Sequence, residues 1–177
     1  RLAMALSHEG NPEIYVLDVA SRQLTRLTRD RGIDTEPAWS PDGQHIVFTS
    51  GRSGRPQIYR MASNGGNPQR ITFQGNYNAR ASYAPDGERL TLITNQGGGF
   101  HTAVYFINSR SLQVLTKTLV DESPTFAPNG AMILYATKSR GRGVLAAMSA
   151  DGRVRQILKV QQGDVREPAW SPLNRKL

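Results

Sequence analysis

Charged side chains recur at one place along this chain. Glu36, Arg80, Glu122 and Glu167 each stand a few residues ahead of an aromatic and a turn, and Thr35 and Asn78 lie beside the first two. Carboxylates and a guanidinium gathered on one rim suit a protein partner that brings its own cationic contact, because complementary charge sets register and association rate. Other residue types that do chemistry are placed for less. His8, His45 and His101 fall at unrelated points, which argues against a shared metal site. Asp42 and Asp86 sit in turns, where a carboxylate ordinarily caps backbone N–H groups. Ser50-Gly51-Arg52-Ser53-Gly54 lacks the G-x-S-x-G of a nucleophile elbow. Gly97-Gly98-Gly99 fits neither dinucleotide nor phosphate-loop spacing and reads as a hairpin connection. The chain is therefore expected to carry no catalytic residue, no metal and no cofactor.

The elements that must hold these charges are announced by a turn. In Trp39-Ser40-Pro41-Asp42-Gly43, proline fixes φ, aspartate bonds its own backbone and glycine takes the left-handed conformation. The turn returns as Tyr83-Ala84-Pro85-Asp86-Gly87, Phe126-Ala127-Pro128-Asn129-Gly130 and Trp170-Ser171-Pro172-Leu173-Asn174. Its prolines step by 44, 43 and 44 residues. A hairpin signal at that period marks the blades of a β-propeller. The fold class expected is all-β, with four-stranded antiparallel blades.

Residues 1–30 read as a partial blade, 31–74, 75–118 and 119–162 as complete blades, and 163–177 as the inner strand of a further or ring-closing one. The predicted inner strands are Pro37–Trp39, Ala81–Tyr83, Pro124–Phe126 and Pro168–Trp170, each preceded by a loop that carries the charges. Runs such as Gln44–Ser50, Gln57–Met61 and Gln69–Thr72 supply the other strands, rich in the β-branched and aromatic residues that pleated surfaces favour. No segment sustains a 3.6-residue period, so no helix is expected. One aromatic per repeat (Trp39, Tyr83, Phe126, Trp170) should pack between neighbouring blades. The chain begins and ends inside repeats, which suggests four blades' worth of a larger ring, or pairing of the termini to complete a blade.

Composition sets outer limits. The chain has 177 residues, 38% hydrophobic and 20% charged, as in ordinary folded domains. Lys+Arg 22 against Asp+Glu 14 gives +8. The cations are dispersed, and the densest cluster is Lys138, Arg140 and Arg142, so a solvated basic surface is favoured over polyanion binding. Cysteine is absent, which excludes disulfides and thiolate metal sites. No apolar run approaches the roughly 18 residues of a membrane-spanning helix.

Longer strings carry a more specific likeness. Asn11–Asp18, Gly54–Tyr59, Asn64–Thr72, Glu36–Gly43 and Asp121–Gly130 resemble the WD40-like repeats of the TolB propeller family, periplasmic components of the Tol-Pal system. The resemblance implies a six-bladed ring that follows an α/β domain, of which this chain would be a part. It also implies a periplasmic location and binding of the lipoprotein Pal through the propeller. It further implies a role in outer-membrane integrity and cell division, and capture by colicins at the same surface. TolA binding is attached in the family to a mature N-terminal segment that this chain lacks, so TolA is not expected as its partner. Neither nucleic acid nor membrane insertion is implied. The position matching Thr35 belongs in the family to the Pal-contacting surface, with Glu36 beside it. Repeat equivalence extends that surface to Asn78, Arg80, Glu122 and Glu167, inside an outer ring of Arg52, Arg55, His101, Lys138, Arg140 and Arg142. Two rival readings are weighed against this one. They are the gating propeller of a prolyl-oligopeptidase-like hydrolase and polyanion binding by the basic loops.

Overall fold

The repeated turn forms as its residue types require. In a computed structural model describing residues 1–8, 10–158 and 163–171, Gly43, Gly87 and Gly130 take φ of 68°, 73° and 71°. Each glycine N–H donates to the carbonyl three residues back, and Asp42, Asp86 and Asn129 accept from the N–H two residues on. These turns fix hairpin register, so that Trp39 faces Ile46, Tyr83 faces Leu90 and Phe126 faces Ile133.

Fifteen strands and no helix are found among the described residues. The first sheet holds β1 (Leu2–Leu6), β2 (Glu13–Leu17) and β3 (Leu24–Arg26). The second holds β4 (Asp34–Trp39), β5 (His45–Ser50), β6 (Gln57–Ala62) and β7 (Gln69–Arg70). The third is β8 (Tyr77–Tyr83), β9 (Arg89–Gln96), β10 (Gly99–Phe106) and β11 (Ser111–Val114). The fourth is β12 (Asp121–Phe126), β13 (Met132–Ser139), β14 (Arg142–Ser149) and β15 (Arg155–Leu158). All are antiparallel meanders in chain order. This is the all-β blade architecture the repeat predicts.

Successive sheets pack face to face, and three cores result. Ile14, Val16, Ile46, Phe48 and Met61 fill the seam between the first and second sheets. Val47, Ile58, Leu90, Leu92 and Tyr105 fill the next. Val104, Phe126, Ile133, Tyr135 and Met148 fill the third. A middle strand with a seam on either side has no polar face, which explains why Ile46, Val47 and Phe48 are all fully buried. Trp39, Tyr83 and Phe126 join these three cores in turn. Trp170 differs: it is 38% exposed and its Nε1 donates to the Thr125 carbonyl at 3.2 Å.

Two expectations change. Pro168–Trp170 form no strand, and β1, the edge a returning strand would need, pairs only with β2 among the described residues. Pro172, Leu173 and Asn174 of the last turn lie outside the described residues. Second, the charge-bearing loops before the inner strands are themselves strand: β4, β8 and β12 start three to four residues earlier than the prolines and alanines suggested. In each ladder two inner-strand residues oppose one on the partner, between Thr35 and Ala38, Ala79 and Ser82, and Glu122 and Thr125. A β-bulge there accommodates Pro37 and Pro124, which have no N–H to give to a regular ladder.

Candidate functional site

Three bulges and the loop at Glu167 place one side chain from each repeat at a common point. Glu36, Arg80, Ser123 and Glu167 all have left-handed φ, at 55°, 56°, 50° and 50°. Their spacing of 44, 43 and 44 residues is that of the turn prolines. A Cβ resists this conformation by roughly 1–2 kcal/mol per residue, so four non-glycine residues hold it only because the surroundings determine it. The bulge bends the strand and re-aims the side chain.

These four side chains are joined in a row. Glu36 accepts from the Thr49 hydroxyl at 2.8 Å, from the Arg80 backbone N–H at 3.0 Å and from Arg80 Nε at 2.8 Å. Arg80 Nη1 then donates to Ser123 Oγ at 2.5 Å and to Glu167 Oε1 at 3.2 Å. Desolvation works against the Arg80 charge, but Glu36 and Glu167 outweigh it and hold the guanidinium still more firmly protonated. Tyr77 stands nearby with its phenol pushed up, by burial first and by Glu36 second, so it stays a neutral donor. The row floors an open recess of about 380 Å³ walled by Pro37, Ala81, Pro124 and Pro168. Two carboxylates and one guanidinium leave it with one net negative charge, with Glu167 69% exposed at the lip.

Of the residues singled out in the sequence, Glu36, Arg80 and Glu167 meet here. Thr35 is half-buried beside Glu36, opposite Thr49 on β5. Asn78 is elsewhere and is a correction: it is fully buried, and its amide donates to Gln57 Oε1 at 2.9 Å and to the Gln74 carbonyl at 2.7 Å. It links two sheets and presents no atom to a partner. Glu122 is the second correction. It faces Ala136 across the ladder and lines a separate small cleft with Lys138, Asp164 and Arg166. The bulge gives its place in the row to Ser123, its neighbour in the same entry loop, which stands five residues before Pro128 as Glu36 stands before Pro41. Arg52 does not stand free on the outer ring either. It pairs with Asp34 at 2.7 Å and stacks over Tyr59 and Phe48.

Asp34, Asn78 and Asp121 form a second, buried series two residues before the row. Asp34 accepts from Ser50 Oγ at 2.6 Å and from Arg52. Asp121 accepts from Thr102 N at 3.0 Å and from the hydroxyls of Thr116 and Thr118, each at 2.5 Å. Thr28, Thr72 and Thr116 each accept from a backbone N–H of β2, β6 or β10, of Ile14, Ile58 and Thr102, and donate to Glu13, Gln57 and Asp121. A threonine and an acid or amide thus fasten the turn after the last strand in the first three sheets. The short fourth strands hide this signal, because Thr28, Thr72 and Thr116 read simply as β-formers.

The model of the TolB beta propeller domain matches residues 1–174. The chain belongs to the TolB β-propeller family. The TolB Tol-Pal system protein of Bordetella pertussis is 48% identical over 164 residues, covering 92% of this chain and 37% of that relative. The crystal structure of TolB from Acinetobacter baumannii superposes with a TM-score of 0.90 at 47% identity, over 96% of this chain and 43% of that one. The chain thus spans well under half the length of these relatives. A prolyl endopeptidase structure superposes with a TM-score of 0.62 over 86% of this chain and 27% of that one, but at 11% identity, so it shares the fold alone.

Proposed function

We propose that this propeller is a non-enzymatic, periplasmic interaction module of the Tol-Pal system that holds the lipoprotein Pal in the recess over Glu36, Arg80, Ser123 and Glu167. In this reading it supports outer-membrane integrity and cell division, and colicins exploit the same rim. The observation that carries it is that four successive repeats each commit one strained residue to a single open, mildly acidic recess. Strain kept at one repeat position is characteristic of sites that must be pre-organised. Arg80 is already paired on both sides, so the partner reads a fixed frame and loses little rotamer freedom in closing on it. A cationic or amide-bearing contact suits the free lone pairs of Glu167.

Titration calorimetry of the purified chain with purified Pal tests this, with a colicin peptide as competitor. The expected result is saturable binding that Glu36→Ala and Glu167→Ala each weaken about tenfold, about 1.4 kcal/mol, while the circular dichroism spectrum is kept. Unchanged Pal affinity in both folded variants would remove the recess from the interface.

A further inference from the structure

A larger cavity, of about 570 Å³, opens in the second seam at the strand ends remote from Glu36. The second sheet contributes His45, Arg60 and Arg70, with Phe73 beyond β7, and the third sheet contributes Tyr105 and Arg110. No carboxylate lines it. Its size is within the roughly 300–1,000 Å³ of small-molecule sites.

Arg60 is the anomaly that gives the cavity its chemistry. It faces Val47 across the ladder, as Val16 faces Ala3, Val104 faces Thr91 and Ala147 faces Leu134. These four occupy one repeat position, and the other three are apolar and buried. In the second sheet alone an arginine replaces the packing residue, and it opens the seam that Val16 and Val104 help to close in their own. Arg60 Nε and the neighbouring His45 Nδ1 are buried and bond to no described protein atom. Among the described residues, Arg60, Arg70 and Arg110 form no ion pair. Arg60 and Arg70 are half-buried, Arg70 Nε donates to the Thr72 carbonyl at 2.6 Å, and Arg110 is exposed, so three like charges facing one space repel each other across partly screened surroundings.

Arg110 is presented under strain. Its φ is 53°, at the turn position where the first sheet has Arg22, also left-handed at 59°, and the second has Gly66, with φ of 126°. Phe73, 64% exposed, lies under Arg70, whose guanidinium carbon is 5.0 Å from the ring centroid. Guanidinium forks match oxyanions two bonds at a time. Three of them with no carboxylate between them exceed the single charge of one carboxylate ligand and suit the double charge of a phosphate.

We propose that this cavity binds a small phosphate-bearing molecule, its phosphate among Arg60, Arg70 and Arg110 and its remaining part against Phe73 and Tyr105. The site is separate from the recess and does not rest on the Pal reading. Calorimetry and thermal shift of the chain with phenyl phosphate and with pyrophosphate test it, against sodium chloride at matched ionic strength. The variants are Arg60→Val and Arg110→Gly, each taken from the same position of another sheet and so compatible with the fold. Saturable binding by the wild type that falls at least tenfold in each variant is expected, with Pal binding unchanged in Arg60→Val. Absent binding, or equal binding by wild type and both variants, overturns the proposal. Phosphatidylglycerol vesicles separate two sources of the group. Binding to vesicles alone that is lost in Arg60→Val keeps the phosphate site and makes its source a headgroup; vesicle binding indifferent to both substitutions is surface charge and counts against it.

Discussion

Two positions on each inner strand, only two residues apart, meet opposite fates. Asp34, Asn78 and Asp121 turn into the seams and are fully or almost fully buried. Glu36, Arg80 and Ser123 turn to the open recess and bond to one another from sheet to sheet. A regular strand would send residues two apart to the same side, and the intervening bulge is what separates them. The buried series fastens sheets together, so its members are judged by what they leave unpaired when removed. The recess series is solvent-screened, so its members contribute little to stability and are free to serve recognition.

The largest effect that follows from this contrast is on Asp121. Asp121→Ala leaves the hydroxyls of Thr116 and Thr118 without their acceptor in a buried site, while the Thr102 N–H keeps only Thr116 Oγ1. The expected loss is about 3 kcal/mol, read as a lower urea midpoint with an unchanged slope. A loss under about 1 kcal/mol would mean that the buried series is not what fastens the third and fourth sheets.

Asn78→Ala sharpens the contrast from the other side. It removes the amide that joins Gln57 to the Gln74 carbonyl, and a loss of about 2 kcal/mol is expected. Pal affinity of the folded fraction should not change. At the recess the pattern reverses: Glu36→Gly relieves the left-handed strain, so stability should move by less than about 1 kcal/mol, while Pal affinity falls about tenfold. The same assay that finds Asn78→Ala silent should therefore find Glu36→Gly defective.

The turn made the architecture legible from sequence. Pro41, Asp42 and Gly43 each constrain one local dihedral or bond, and local constraints survive translation into structure. Asn78 and Glu122 were misplaced because their fate depends on a bulge, which is a relation between two strands and is written in neither alone. Ser123 shares the entry loop with Glu122 and carries no charge to rank it above that neighbour, although its distance from Pro128 repeats that of Glu36 from Pro41. Arg60 gave no signal by type, since an arginine in a strand reads as solvated. Only comparison with Val16, Val104 and Ala147 shows it standing where a core residue belongs.

The smallest effect concerns the sign of a pH slope. Burial pushes the Asp34 carboxyl up, and Ser50 and Arg52 only partly offset that. Its folded pKa therefore lies above the unfolded value of about 3.9, and between the two the folded chain holds more protons. Stability from this group is whole below the unfolded value and is lost as pH rises through the folded one. The turn carboxylates Asp42 and Asp86 are held low, so their contribution is lost in the opposite direction, as pH falls. They are common to the wild type and to Asp34→Asn, which installs the residue Asn78 occupies in the next sheet, and they cancel in the difference. Stability of the wild type minus that of Asp34→Asn should thus decrease as pH is raised from below 4, measured by urea unfolding at each pH. A difference that grows with pH would show the Arg52 charge overriding burial, and the seam position would then behave like the Glu36–Arg80 pair in the recess.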